Sequence, residues 1–112
     1  MEMIMEKVAD VSVVLLPGGN LDASNAKDFK RDLAPVLAKN LRLVFDMSKL
    51  QFVDSSGLAV LLGCLRQLNA AGGDLKLFGM TKPVRALFEL VRMHRIFDIF
   101  NTREEAVSGF VN

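Results

Sequence analysis

Cysteine is nearly missing from this sequence: Cys64 stands alone, which excludes an intramolecular disulfide and a cysteine-rich metal site. Net charge is nearly missing too, since 14 lysines and arginines against 13 aspartates and glutamates leave +1. A chain so balanced has no generic electrostatic grip on nucleic acid or on an anionic membrane, and no dense basic block supplies a local one. No apolar run reaches the ~18 residues that a membrane span needs. Residues 1–9 carry Glu2 and Glu6 and lack the basic-then-apolar order of a secretion signal. A cytoplasmic protein without direct membrane insertion is the expectation. Histidine is as scarce as cysteine. His94 is the single one, and without a Gly-x-Ser-x-Gly elbow it gives a serine nucleophile no evident base. There is no Walker A sequence, and Gly18-Gly19 and Gly72-Gly73 suit turns better than a phosphate cradle. The carboxylates have no metal-site spacing, and the six methionines sit mostly at the N-terminus and in core-like positions. No cofactor, no metal and no catalysis are therefore expected. Lys82, Arg85, Arg92 and Arg95, without interleaved exposed aromatics, read as a solvated or at most protein-binding face.

What is present is a core. With 112 residues, 51% hydrophobic and 24% charged, residues 1–112 are expected to form a single domain that needs no staples. Short strand-like runs alternate with amphipathic helices. Met3–Val8 and the β-rich run Val11–Leu16 are expected to pair across a tight turn at Ala9-Asp10, and Pro17-Gly18-Gly19 closes the second. Between Asp22 and Lys39, Ala26, Phe29, Leu33, Val36 and Leu37 make one helical stripe, with Asp22 or Ser24 as N-cap. Pro35 in its interior predicts a kink or an early stop. Arg42–Asp46 is a buried strand, and Ser55–Ala71 a helix with Leu58, Leu61, Leu62, Leu65 and Leu68 inward. Gly72-Gly73 ends that helix, and Leu75–Phe78 is the next strand. Strand, helix and strand in so short a span imply a βαβ unit with parallel strands. A third helix starts at Thr81-Lys82-Pro83 with Val84, Leu87, Phe88 and Val91 as its stripe, followed by a strand over Ile96–Phe100. Thr102-Arg103-Glu104-Glu105 has the form of a capping box opening a last helix with Ala106, Val107 and Phe110. The sum is an α/β fold, a mixed and mainly parallel sheet of four to five strands packed with about four helices.

The stretch Leu50-Gln51-Phe52-Val53-Asp54-Ser55-Ser56-Gly57-Leu58 leads into the crossover helix, beyond the carboxyl end of the parallel strand. Open α/β sheets often bind there. Ser55 falls at the helix start, where free N–H groups and the helix dipole favour a phosphate. Gly57, without a Cβ, leaves the approach to the hydroxyl open. Asp and Ser are also the best N-caps, so on spacing alone an ordinary helix start is the favoured reading. On the outward side of this helix, Ser56, Val60, Gly63 and Gln67 form a ridge of small, weakly polar residues, with Cys64 beside it. The ridge begins at Ser55 and is a candidate partner surface. The alternative is that a second helix of the same domain covers Val60 and Cys64.

Phe52-Val53-Asp54-Ser55-Ser56-Gly57-Leu58-Ala59-Val60-Leu61-Leu62-Gly63 resembles the signature of the STAS domain, found in anti-sigma factor antagonists and in sulfate transporter tails. Gly19-Asn20-Leu21-Asp22 with Ala26, Leu43-Val44-Phe45-Asp46-Met47-Ser48, and Pro83-Val84-Arg85-Ala86-Leu87-Phe88 are similar to the family's other blocks, in the same order. The resemblance covers essentially the whole chain. It implies an anti-sigma factor antagonist phosphorylated on Ser55 by an anti-sigma factor serine kinase and reset by a PP2C-type phosphatase. The unmodified form binds the kinase and frees the sigma factor; phosphorylation ends that binding. The added charge of about −1.5 to −2 would stand beside Asp54, with Asp22 and Asp46 as further neighbours. The expected partner-binding residues are Asp22, Asp54, Ser56, Gly57, Val60, Gly63 and Gln67, on a monomer or weak dimer. The same family resemblance also admits a STAS regulatory subunit of a membrane (ABC-type) transport system. An esterase acting through Ser55 is the remaining alternative.

Overall fold

Alternation along the strands builds the central sheet. In the computed structural model, which describes residues 3–110, β1 (Ile4–Val8) and β2 (Val11–Leu15) form an antiparallel hairpin that pairs Val8 with Val11 and Ile4 with Leu15. Ala9 turns the chain with φ 57°, a left-handed backbone that suits so tight a loop. β2 then pairs in parallel with β4 (Arg42–Asp46), β4 with β6 (Asp74–Phe78), and β6 with β7 (Asp98–Phe100). The order across the sheet is β1-β2-β4-β6-β7.

Because the inner strands are covered on both sides, they carry apolar residues on both faces. Val14, Leu43, Phe45, Leu75 and Leu77 belong to the larger core, shared with the helices α1 (Ala26–Lys39), α2 (Ser55–Ala70) and α3 (Lys82–Leu90). Val11, Val13, Val44 and Phe78 pack on the other side, against Ala106 and Val107 of α4 (Arg103–Ser108). Lys76 is buried on that side, its Nζ 2.7 Å from Asp98 and 3.2 Å from Asp74 and 4.8 Å from the centre of the Phe110 ring. Ser12 is buried too, and donates 2.7 Å to Asn40 Oδ1.

Two strands lie outside the expected set. β3 (Gly19–Leu21) and β5 (Leu50–Val53) pair in parallel as a separate two-stranded sheet. Several expected boundaries also move. α1 starts at Ala26, and neither Asp22 nor Ser24 is its N-cap. That place falls to Asn25, whose side-chain oxygen accepts from the Asp22 N–H instead of from the helix. The helix does not stop at Pro35: it runs on to Lys39, with Pro35 exposed on its outer side. Val91 falls at the end of α3 and is 44% exposed, so it leaves the stripe that Val84 and Phe88 bury. Ile96 follows a 3-10 turn (Met93–Arg95), and β7 begins only at Asp98. Phe110 lies beyond the end of α4, and Leu62 is only half-buried. Two helix-end signals are where they were expected. Gly72, with φ 86°, follows α2, and Thr102 with Glu105 forms a capping box on α4.

Candidate functional site

The site is built where β5 hands over to α2. Asp54 is the N-cap of α2, in extended conformation, and its Oδ1 accepts the Gly57 N–H at 3.0 Å. Its other oxygen, Oδ2, accepts the Ala23 N–H at 3.1 Å, and its own N–H donates to the Leu21 carbonyl at 3.2 Å. One residue thus ties the start of α2 to the loop between β3 and α1. That loop is further knotted by its own side chains. Asp22 Oδ1 accepts the Ser24 N–H at 2.9 Å and the Ser24 hydroxyl at 2.5 Å. These two bonds, the hydroxyl's first, hold the Asp22 carboxyl below the usual carboxylate range. Asn25 accepts from the Asp22 N–H at 2.9 Å and donates to the Asn20 carbonyl at 2.7 Å.

Ser55 is the first residue of α2 and is exposed; Ser56 is half-buried. An anion on Ser55 would meet the positive end of the α2 dipole. Gly57 has a different role from the one its sequence position suggests. It is buried, and a Cβ there would lie 2.4 Å from the Leu21 carbonyl oxygen and 2.9 Å from Val53 Cγ1. The glycine lets α2 approach β3 and β5, and does not serve to open the serine hydroxyl. Asp46 lies at the end of β4, where its Oδ1 accepts the Ser48 N–H at 3.0 Å and holds the following turn.

Of the outward ridge on α2, Gly63 and Gln67 are exposed, Val60 is half-buried against the core, and Cys64 is 4% exposed. α1 covers this side of α2, so the alternative of a covering helix is realised for Cys64 and in part for Val60. Burial pushes the Cys64 thiol up to about 11. The structure therefore brings Asp22, Asp54, Ser55 and Ser56 to one corner, places Gly57 beneath it, and leads Val60, Gly63 and Gln67 away along α2.

Sequence reasoning missed the roles of Asn25 and Ala23, and it did not foresee that Phe52 on β5 is exposed, at 51% accessible. Asn25 follows Asp22 and Ser24 closely enough to suggest a polar knot, but Ala23 acts through its backbone and leaves no signal. His94 is exposed in the 3-10 turn. Among the described residues, no helix is long and apolar enough to cross a membrane.

Comparison with known proteins adds the family. The STAS domain model matches residues 2–106. The chain is 32% identical over 111 residues to a Bordetella bronchiseptica protein assigned as anti-sigma factor antagonist BtrV, spanning 98% of this chain and 95% of that one. A crystal structure from Thermotoga maritima, assigned as an anti-sigma factor antagonist, aligns with a TM-score of 0.89 at 25% identity over 98% of this chain and 95% of its own. The Bacillus cell fate determinant SpoIIAA in its phosphorylated form shares the fold, with a TM-score of 0.68 at 23% identity over 96% and 98% of the two chains.

Proposed function

The chain belongs to the STAS domain family, and on that premise we propose that it is an anti-sigma factor antagonist switched by phosphorylation of Ser55. In its unmodified form it binds an anti-sigma factor serine kinase in the cytoplasm and so releases the sigma factor. The kinase moves the γ-phosphoryl group of ATP onto Ser55 Oγ, the hydroxyl proton leaves, and ADP departs. A PP2C-type phosphatase hydrolyses the ester and restores the binding form.

One observation carries this reading. The exposed Ser55 opens α2 beside a loop held in place by Asp54 through Ala23 and Gly57. A hydroxyl so placed is reachable by a kinase, and the helix dipole accommodates the dianion that results. Asp22, Asp54 and Ser56, at the same corner as Ser55, are the proposed docking surface; Gly57 lies buried beneath it, and Val60, Gly63 and Gln67 extend it along α2. The added charge of about −1.5 to −2 beside Asp54 penalises a partner that presents an acidic or apolar face. A difference of about 3 kcal/mol corresponds to roughly a hundredfold in affinity, so no change of fold is required.

The test is affinity capture from native lysate with the Ser55→Ala and Ser55→Asp forms, followed by mass spectrometry. The expected result is an ATP-binding kinase held by the alanine form and lost from the aspartate form. Equal recovery of a transporter ATPase by both forms would replace the antagonist reading with that of a transport-system subunit.

A further inference from the structure

α1 and α2 run side by side and leave a groove of about 330 Å³ between them. Its lining is mostly apolar: Leu37 and Cys64 are buried at its base, Val60 is half-buried, and Ala34 and Ala59 are exposed along its sides. Gly63 lines it without a side chain, and an added Cβ there would meet no heavy atom within 4 Å, so a larger residue at this position has room to project into the groove. With its thiol held up at about 11, Cys64 is an uncharged part of the base at neutral pH. One charge stands at the rim. Lys30 lines the groove from α1, near enough for its field to act on the Cys64 thiol. No acidic side chain is among the residues that line it. The α2 wall, with Val60, Gly63 and Gln67, continues the helix face that begins at Ser56.

We propose that this groove receives an apolar side chain of the partner that docks at Ser55, with a carboxylate of the same partner segment set against Lys30. The inference rests on the antagonist reading and extends its contact surface from α2 onto α1. A side chain placed here reaches the apolar base, and the cation at the rim selects an acidic neighbour over a basic one. Continuity with the Ser55 corner favours one protein spanning both over a separate small ligand.

The experiment takes the kinase recovered with the Ser55→Ala form, purifies it, and titrates it calorimetrically against the full chain carrying Gly63→Leu, Lys30→Glu or Ser55→Asp. Gly63→Leu fills the groove from within. It should weaken binding by roughly tenfold or more, the scale of a central contact. Its melting temperature should stay at or above that of the parent, because leucine is the better helix former. Lys30→Glu should weaken binding severalfold, with the difference shrinking as salt is raised. Should both variants bind like the parent while Ser55→Asp still loses the kinase, the groove proposal falls and the switch stands. Should Ser55→Asp bind the kinase normally, the switch itself fails and the groove proposal with it. Decanoate serves as the small-molecule probe. If it raises the melting temperature of the parent but not of Gly63→Leu, and leaves kinase binding untouched, the groove is a ligand site and the partner contact is overturned.

Discussion

Asp54 divides its two carboxylate oxygens between two segments, the α2 start through Gly57 and the preceding loop through Ala23. Asp54→Ala removes both bonds and should cost about 1–2 kcal/mol of stability, read as a lower urea midpoint. Asp54→Asn keeps one acceptor, turns a donor toward the other N–H, and should fall between. Gly57→Ala tests the close approach below the site. Alanine is the better helix former by about 1 kcal/mol, but its Cβ would meet the Leu21 carbonyl oxygen at 2.4 Å, and that atom is backbone. Overpacking of this kind costs about 1–3 kcal/mol, so the net effect should be a loss, again seen in urea. Cys64 makes a pH prediction. Its thiol is raised from near 9 to about 11 in the folded chain, so the folded state retains the proton across a range in which the unfolded state releases it. Stability should be unaffected by this group below pH 9 and decline between about 9 and 11, by up to about 2 kcal/mol. Lys76, penalised by burial but held above its ordinary value by Asp98 and Asp74, adds to the decline only beyond that of a free lysine. Replacing Cys64 with alanine should therefore flatten the part of the urea-midpoint profile that begins near pH 9.

At the scale of elements, α1 shows how tertiary packing overrides a local rule. Pro35 stands within the helix, and its missing N–H leaves the Arg31 carbonyl without its usual donor. Phe29, Leu33 and Leu37 nevertheless anchor the helix on both sides of it. Because Pro35 is exposed, Pro35→Ala should restore the bond without disturbing the core and stabilise the protein by about 1–3 kcal/mol, measured by urea unfolding. The same balance explains what could be read in advance. The β1–β2 hairpin, β4, α2, β6 and the α4 capping box were legible because pattern, cap and turn residues agree there. β3 and β5 were not. Gly19-Asn20-Leu21 is too short to show a period, and Leu50-Gln51-Phe52-Val53 buries only its two ends, leaving Gln51 and Phe52 exposed. Each becomes a strand only because the other lies beside it, a long-range fact absent from local sequence. The corner around Ser55 was legible as a motif, whereas the Ala23 brace and the Asn25 knot depend on that same pairing.

For the molecule as a whole, the question is whether a charge at Ser55 acts on the surface or on the fold. The sheet is held from both sides: α1, α2 and α3 cover one face, while α4 and the buried Lys76 occupy the other. Ser55 touches neither core. It opens α2, and the strands that present it are joined by backbone bonds independent of its hydroxyl. A negative charge at a helix's first residue is stabilising by about 0.3–1 kcal/mol, set against repulsion from Asp54 and Asp22 in solvent-screened surroundings. The two effects should nearly cancel. Ser55→Asp is therefore expected to melt within a few degrees of the parent, with unchanged far- and near-ultraviolet circular dichroism, while kinase affinity collapses. If the aspartate form instead loses near-ultraviolet signal or melts far below the parent, lost binding reports a damaged fold. The switch would then have to work through α2 itself, because an exposed first residue can reach the core only by moving the helix that carries it.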